Sequence, residues 1–229
     1  LEAVNQAARM IRVGDAACCL AGGVESMSRA PYSVPRGPQH PKAGNLTAWD
    51  TSLGWRYPNP KMQALFPLEA MGCTAENIVD RMGISRDEQD AFALGSHQKA
   101  LKAQSEGWFD AELIPVSVVG RKQTVVVDKD EGPRSDTTPE RLARLRPAFR
   151  EGGSVTAGNS STLNDGASAL LIMSENDARS AGFSPKARIL SCASAGVDPE
   201  VMGLGPVPAT QKALQAAGLQ VADIDAWEL

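Results

Sequence analysis

Val4, Ala7, Ala8 and Ile11 recur at the spacing that lays one apolar stripe along a helix, so the pattern predicts a helix over 1–13, stopped by Gly14. Ala16-Ala17-Cys18-Cys19-Leu20-Ala21 follows as a short uncharged run closed by Gly22-Gly23, which predicts a buried parallel strand. A second uncharged run, 167–173, predicts a strand buried on both sides in the middle of a layered α/β sheet. Between them the pattern changes. Over 30–67 Pro, Gly, Asn, Trp and Tyr replace aliphatic residues without a sustained period, which predicts an irregular inserted lid or binding element; Trp49, Trp55 and Tyr57 argue against disorder.

Helical spacing returns over 74–82, with Thr74 as cap and Gly83 as stop. It continues up to Gly107 in a longer helix, where Ser85 and Glu88 form a capping box and Phe92, Leu94 or Gly95, Ala100 and Leu101 form the buried stripe. The charge run 86–90 reads as a solvated face. Valine-rich alternation over 112–119 and 123–128 predicts two strands joined by a basic turn at Arg121-Lys122. A short helix is expected at 139–144, further helices at 175–181 and 208–217, and strands at 187–195 and 225–229.

The stretch 154–174 compresses glycines, amides and hydroxyls into a loop that feeds the second uncharged run. Gly158 and Gly166 free the backbone, while Asn159, Ser160, Ser161, Asn164 and Asp165 supply turn and cap groups. The residues alone admit a ligand-holding loop or an ordinary turn before a core strand.

Composition narrows the function classes. With 42% hydrophobic and 22% charged residues among 229, the chain can bury a core as one or two globular domains. A net charge of −4 offers no basic patch for nucleic acid or an acidic membrane. No apolar run approaches the roughly 20 residues of a spanning helix. Cys18, Cys19, Cys73 and Cys192 have no CxxC spacing, and with His40 and His97 they suggest no metal site. They read as free, mostly buried thiols of a reducing compartment, with Cys18 and Cys19 as structural filling of a strand. His40 reads as a solvated loop histidine and His97 as a surface or edge histidine, for which the sequence suggests no partner.

Several segments together resemble the thiolases. They are Gly22-Gly23-Val24-Glu25-Ser26-Met27-Ser28, Met71-Gly72-Cys73-Thr74-Ala75-Glu76-Asn77, Ser85 to Asp90, Leu145-Arg146-Pro147-Ala148-Phe149, Thr156-Ala157-Gly158-Asn159-Ser160-Ser161 with Asn164-Asp165-Gly166, and Val201-Met202-Gly203 leading to Gly205-Pro206. They stand in family order over nearly the whole chain. The resemblance implies an α/β protein of the thiolase fold, layered αβαβα and partial here. It implies part of the N-terminal half at 1–29, an inserted loop or lid domain that binds coenzyme A at 30–153, a return to the N-terminal half at 154–185, and the start of the C-terminal half at 186–229.

The activity implied is that of an acetyl-CoA C-acyltransferase. A cysteine thiolate attacks a 3-oxoacyl-CoA, acetyl-CoA leaves, and coenzyme A takes up the shortened acyl group; the reverse is a Claisen condensation. Coenzyme A is thus a co-substrate, and no permanently bound cofactor is expected. Leu1 matches the leucine of the family's cysteine-bearing turn, so the nucleophile is expected before residue 1, and the base histidine and second cysteine after residue 229. The chain is therefore expected to be an internal fragment, inactive and poorly stable alone.

Carried over residue by residue, the resemblance places Ser161 at the pantetheine contact with Ala157 and Ser160 beside it, Arg134 at the coenzyme A nucleotide, and Met71, Phe149 and Met62 along the pantetheine and acyl channel. A guanidinium fork suits a phosphate. For Met71 and Phe149 the residues alone suggest core packing, and for Arg134 a surface arginine. Two departures from the family pattern matter: Ala70 stands where acetoacetyl-specific members have histidine, favouring a longer substrate, and Ser160-Ser161-Thr162 replaces Ala-Ser-Gly. The segment 50–60, DTSLGWRYPNP, resembles the lid of 3-oxoacyl-CoA and 3-oxoadipyl-CoA thiolases, so the second of these activities is an alternative. A non-catalytic acyl-CoA or lipid binder of thiolase type is another. A homodimer or homotetramer is implied, in the bacterial cytoplasm, or in mitochondria or peroxisomes of a eukaryote.

Overall fold

The computed structural model describes residues 1–37 and 45–228; His40 and Leu229 lie outside them. In chain order the described elements are α1 (Glu2–Val13), β1 (Cys18–Ser26), β2 (Tyr32–Ser33), β3 (Trp49–Asp50), α2 (Pro60–Gln63), α3 (Met71–Met82), α4 (Arg86–Ser105), β4 (Val116–Val119), β5 (Thr124–Val127), α5 (Pro139–Ala143), β6 (Asp165–Met173), α6 (Glu175–Ser180) and α7 (Pro206–Ala217). They fall into two units, Leu1–Leu68 with Leu163–Leu229, and Glu69–Thr162.

In the first unit α1 buries Ala7 and Ala8, as its stripe predicts, and Gly14 closes it at φ +81° in the left-handed region. The helix packs on β1 and β6. These strands pair antiparallel, from Cys18 opposite Met173 to Ser26 opposite Asp165, not parallel as expected for β1. Gly22 permits the close approach, since a Cβ there would stand 2.5 Å from the Ser168 carbonyl oxygen. An uncharged run encodes burial, not strand direction, and here even burial is incomplete. Leu20 is 77% and Val24 81% exposed, and Ala21 is the one buried residue of β1. β6 is open in the same way, because among the described residues the pair has no third strand and one principal helix against it. The cysteines follow suit: Cys18 is exposed and the other three half-buried, so the expected burial of the thiols does not hold.

The residues 187–195, expected as a strand, form none. Their carbonyls are taken by side chains instead of a neighbouring strand: Arg12 Nη2 donates to Ile189 and Leu190 at 2.8 and 3.0 Å, and Lys212 Nζ to Ser194 at 3.3 Å. The residues 225–228 likewise form no strand. In the segment 30–67, β2 pairs with β3, and the Trp49 and Tyr57 rings meet at 5.9 Å and 56°.

The second unit begins with α3, three residues earlier than expected. Thr74 sits inside its first turn, donating back to the Met71 carbonyl at 2.8 Å, so it is not the cap. Gly83 ends the helix at φ +68°. The capping box of α4 is complete, with Glu88 accepting from the Ser85 N–H at 2.8 Å and Ser85 Oγ accepting from the Glu88 N–H. Phe92, expected in the buried stripe, is 77% exposed; the buried positions of α4 are Asp90 and Ala103. β4 and β5 form an antiparallel hairpin, and Thr138 caps α5.

Several surface carboxylates are held below their ordinary range. The hydroxyl and N–H of Ser85 do this to Glu88, the hydroxyl and N–H of Ser28 to Asp165, and Arg179 followed by Arg188 to Glu175. A carboxyl lower in the folded than in the unfolded chain stabilises folding above its unfolded pKa and loses that contribution as pH falls toward its folded one. The urea midpoint should therefore be level from pH 7 to about 5 and decline below about 4.5. A midpoint that rises on acidification from pH 5 to 3 would contradict this.

Candidate functional site

The loop 154–161 of the second unit is held from both sides by buried polar groups. On α3, Glu76 is fully buried, and its Oε1 accepts the N–H groups of Ser154 and Val155 at 2.8 Å each. Its Oε2 accepts the Ser154 hydroxyl at 3.3 Å and faces Arg150 at 3.6 Å. Arg150 is paired in turn with Asp80 at 2.9 Å, a bond that raises its pKa further. Gly153 makes this cradle possible, because a Cβ there would overlap the Glu76 carboxylate.

On α4, Asp90 accepts from Asn159 Nδ2 at 2.9 Å and from Arg86 Nε at 2.8 Å. Arg86 also donates to the carbonyls of Leu142 and Leu145 at 2.7 and 3.1 Å, and Gln89 to the Ser154 hydroxyl at 2.9 Å. The charge run 86–90 is thus only partly a solvated face; Gln89 and Asp90 bond to the loop, and Arg86 to Asp90 and to the carbonyls of Leu142 and Leu145. Within the loop, Thr156 is fully buried and its Oγ1 accepts the N–H groups of Gly158 and Asn159 at 3.2 and 3.3 Å. Asn159 Oδ1 accepts from the Thr156 N–H at 2.7 Å, and Nδ2 also reaches the Ser154 carbonyl at 3.1 Å. An N–H on one side and a carboxylate on the other fix the orientation of this amide.

Such bracing leaves a defined outer surface. Ala157 and Ser161 are exposed, whereas Ser160 is half-buried with its hydroxyl donating to the Thr156 carbonyl at 2.7 Å. Ser161 is thereby the freer of the two hydroxyls for a ligand. The backbone of Gly132 passes beside Thr162, where an added Cβ would lie 3.7 Å from Thr162 Oγ1, so the segment that carries Arg134 runs next to Ser161. The Arg134 side chain is exposed, and among the described residues its guanidinium has no ion pair or hydrogen bond. Its backbone N–H donates to His97 Nδ1 at 3.2 Å, a partner for His97 that the sequence did not suggest.

Met71 is 71% exposed and Phe149 42%, so neither is plain core packing. Gly72 explains their proximity: a Cβ there would overlap the Phe149 ring, which therefore lies directly on the first turn of α3. The Ala148 N–H donates to the Val155 carbonyl at 2.9 Å, and that bond sets Phe149 beside the braced loop. Met62 lies on α2 in the first unit and is 43% exposed. The second unit thus brings Ser161, Ala157 and Ser160 beside the Arg134 segment, with Phe149 and Met71 adjoining.

Of the bracing residues, the sequence marks Asn159 only as a turn or cap group, and it gives no such role to Glu76, Arg86, Asp90 or Thr156. Glu76 and Asn159 do stand inside the quoted segments, among small residues that leave a polar side chain few neighbours but the backbone. That pairing of Gly with a carboxylate or amide was the available signal.

Residues 1–176 match the family profile "Thiolase, N-terminal domain" and residues 183–229 match "Thiolase, C-terminal domain". The chain is 46% identical over 230 residues to the 3-oxoadipyl-CoA/3-oxo-5,6-dehydrosuberyl-CoA thiolase of Escherichia coli K12, covering all of this chain and 57% of that protein. It is 48% identical over 229 residues to the acetyl-CoA acetyltransferase of the same organism, with the same coverage. Among solved structures, the Bacillus anthracis acetyl-CoA acetyltransferase superposes with a TM-score of 0.86 at 44% identity, and the human mitochondrial 3-ketoacyl-CoA thiolase with 0.86 at 37%. Each match covers 98% of this chain and 55% of the solved chain. The chain spans 57% of the length of the curated relatives named, and its fold is correspondingly a partial thiolase fold. With both family profiles matched in order and solved relatives superposing over almost its whole length, the chain belongs to the thiolase family.

Proposed function

We propose that this chain carries the coenzyme A side of an acetyl-CoA C-acyltransferase that cleaves 3-oxoacyl-CoA thiolytically. The observation that carries the reading is the braced loop 154–161, which presents Ser161 and Ala157 outward beside a segment whose Arg134 guanidinium is unpaired among the described residues. In this reading Arg134 takes a phosphate of the nucleotide, Ser161 with Ser160 and Ala157 takes the pantetheine, and Met71 and Phe149 line the apolar channel.

The domain roles follow: 1–29 and 154–185 belong to the N-terminal half, 30–153 is the coenzyme A-binding insertion, and 186–229 opens the C-terminal half. The open faces of β1 and β6 fit a core completed by further thiolase layers. Chemistry in the whole protein runs through a cysteine thiolate outside 1–229, which adds to the 3-oxo carbon. The carbon-carbon bond then breaks, its electron pair leaving as the acetyl-CoA enolate that is protonated to acetyl-CoA. Coenzyme A thiolate finally displaces the enzyme thiolate from the shortened acyl group. The assembled protein is a homodimer or homotetramer in this reading, and coenzyme A comes and goes as a substrate.

The full-length protein containing this chain, assayed for thiolysis, tests the reading. Arg134→Gln should raise the KM for coenzyme A about ten- to a hundredfold with kcat nearly unchanged, as loss of a charged hydrogen bond implies. Full-length protein that neither cleaves a 3-oxoacyl-CoA nor binds coenzyme A would overturn it. A second reading narrows the substrate to 3-oxoadipyl-CoA and is favoured by the names of several relatives 43–47% identical, including the beta-ketoadipyl-CoA thiolases of Pseudomonas knackmussii and Pseudomonas putida. The ratio of kcat/KM for a dicarboxylic and a plain 3-oxoacyl-CoA separates the two.

A further inference from the structure

Two side chains on one face of α4 hold the two ends of the segment 130–134. Gln104 Nε2 donates to the Asp130 carbonyl at 3.1 Å, and His97 Nδ1 accepts from the Arg134 N–H at 3.2 Å. His97 and Gln104 are seven residues apart, two helical turns, and so share a face. Between the anchored ends lie Gly132, beside Thr162, and Pro133, whose ring fixes φ and removes an N–H. The Arg134 N–H is consequently the first donor after the proline, and His97 is what receives it. Arg134 O in turn accepts from the Thr137 N–H at 3.4 Å, so the backbone at Arg134 is fixed on both sides while its guanidinium stays exposed.

From this clamp we infer that His97 is a positioning residue for coenzyme A, acting through the backbone of Arg134 to aim the guanidinium at the nucleotide. The inference rests on the reading of Arg134 as a nucleotide contact. Its chemistry is simple: accepting through Nδ1 requires that the proton sit on Nε2, and a backbone already held reduces the backbone freedom lost when the guanidinium docks on phosphate. Gln104 does the same for the other end. A histidine that only decorated the surface would leave ligand affinity untouched.

The test compares coenzyme A with pantetheine, which lacks the nucleotide, as thiol acceptors for the full-length protein. His97→Phe keeps a ring of similar size without the acceptor and should raise the KM for coenzyme A about three- to tenfold, leaving kcat and the KM for pantetheine unchanged. His97→Asn places an oxygen near the Nδ1 position and should stay within about twofold of the parent. Gln104→Leu should shift the same KM in the same direction. If Arg134→Gln leaves the coenzyme A KM unchanged, the nucleotide reading itself falls. If Arg134→Gln has its effect but His97→Phe matches the parent, the positioning role alone is overturned. Equal KM increases for both acceptors under His97→Phe, or no rescue by His97→Asn, would likewise overturn it by showing a general structural part.

Discussion

Glu76→Ala should cost the second unit about 3–5 kcal/mol, a large share of the total for a unit of this size. Removing the carboxylate strips acceptors from two backbone N–H groups, those of Ser154 and Val155, and from the Ser154 hydroxyl. It also leaves Arg150 with Asp80 as its remaining acidic partner. Each stranded donor costs about 1–3 kcal/mol, and the Val155 N–H among them is buried. Glu76→Gln should cost less, about 1–2 kcal/mol, because one oxygen still serves both N–H groups while the new NH2 faces Arg150 and the rotatable Ser154 hydroxyl. Both substitutions should also raise the KM for coenzyme A in the full-length protein, since the loop they release carries Ser161. Urea unfolding followed by a probe in the second unit measures the first effect. An alanine variant within about 1 kcal/mol of the parent would show that the loop is held without this carboxylate.

What could be read from the sequence and what could not separate along physical lines. Helices were legible wherever a local device defines them: Gly14, Gly83 and Gly218 all take positive φ at helix ends, and the capping box of Ser85 and Glu88 forms as its spacing implies. The β4–β5 hairpin was legible from alternation alone. Strand direction was not. The apolar runs of β1 and β6 look alike whichever way they pair, and the strands pair from Cys18 to Ser26 against Met173 to Asp165, a register set by residues well over a hundred positions apart. The absence of a strand at 187–195 was equally invisible, because it depends on Arg12 and Lys212 reaching the carbonyls that a neighbouring strand would have used. At the candidate site the exposed residues came from the family resemblance, and the residues that hold them did not. Arg86 and Asp90 look like any i,i+4 surface pair in the sequence, yet the carboxylate also receives Asn159, and the guanidinium the carbonyls of Leu142 and Leu145. Such roles are defined by contacts made across the fold, and no local spacing encodes them.

Asn159→Asp puts that last contact to a sharper test than truncation. The change is isosteric, and the oxygen that accepts the Thr156 N–H is retained. In place of the Nδ2 donor, however, an oxygen now faces the Asp90 carboxylate at 2.9 Å and the Ser154 carbonyl at 3.1 Å. Two favourable bonds become two repulsions, one of them between like charges, which Arg86 neutralises only in part. The expected cost at pH 7 is about 3–4 kcal/mol. The sign of its pH dependence is diagnostic. A carboxyl crowded by another has its folded pKa raised above the unfolded value near 3.9, so the penalty is absent below that value and grows as pH rises through the folded one. The variant should therefore draw closer to the parent as pH falls from 7 toward 4, although the parent itself weakens only below about 4.5. Asn159→Ala removes the same donors without adding charge, and its deficit should stay constant over that range. If the aspartate and alanine variants instead keep the same spacing from the parent at every pH, the Asn159 amide does not face Asp90, and the loop 154–161 owes its shape to Glu76 and Thr156 alone.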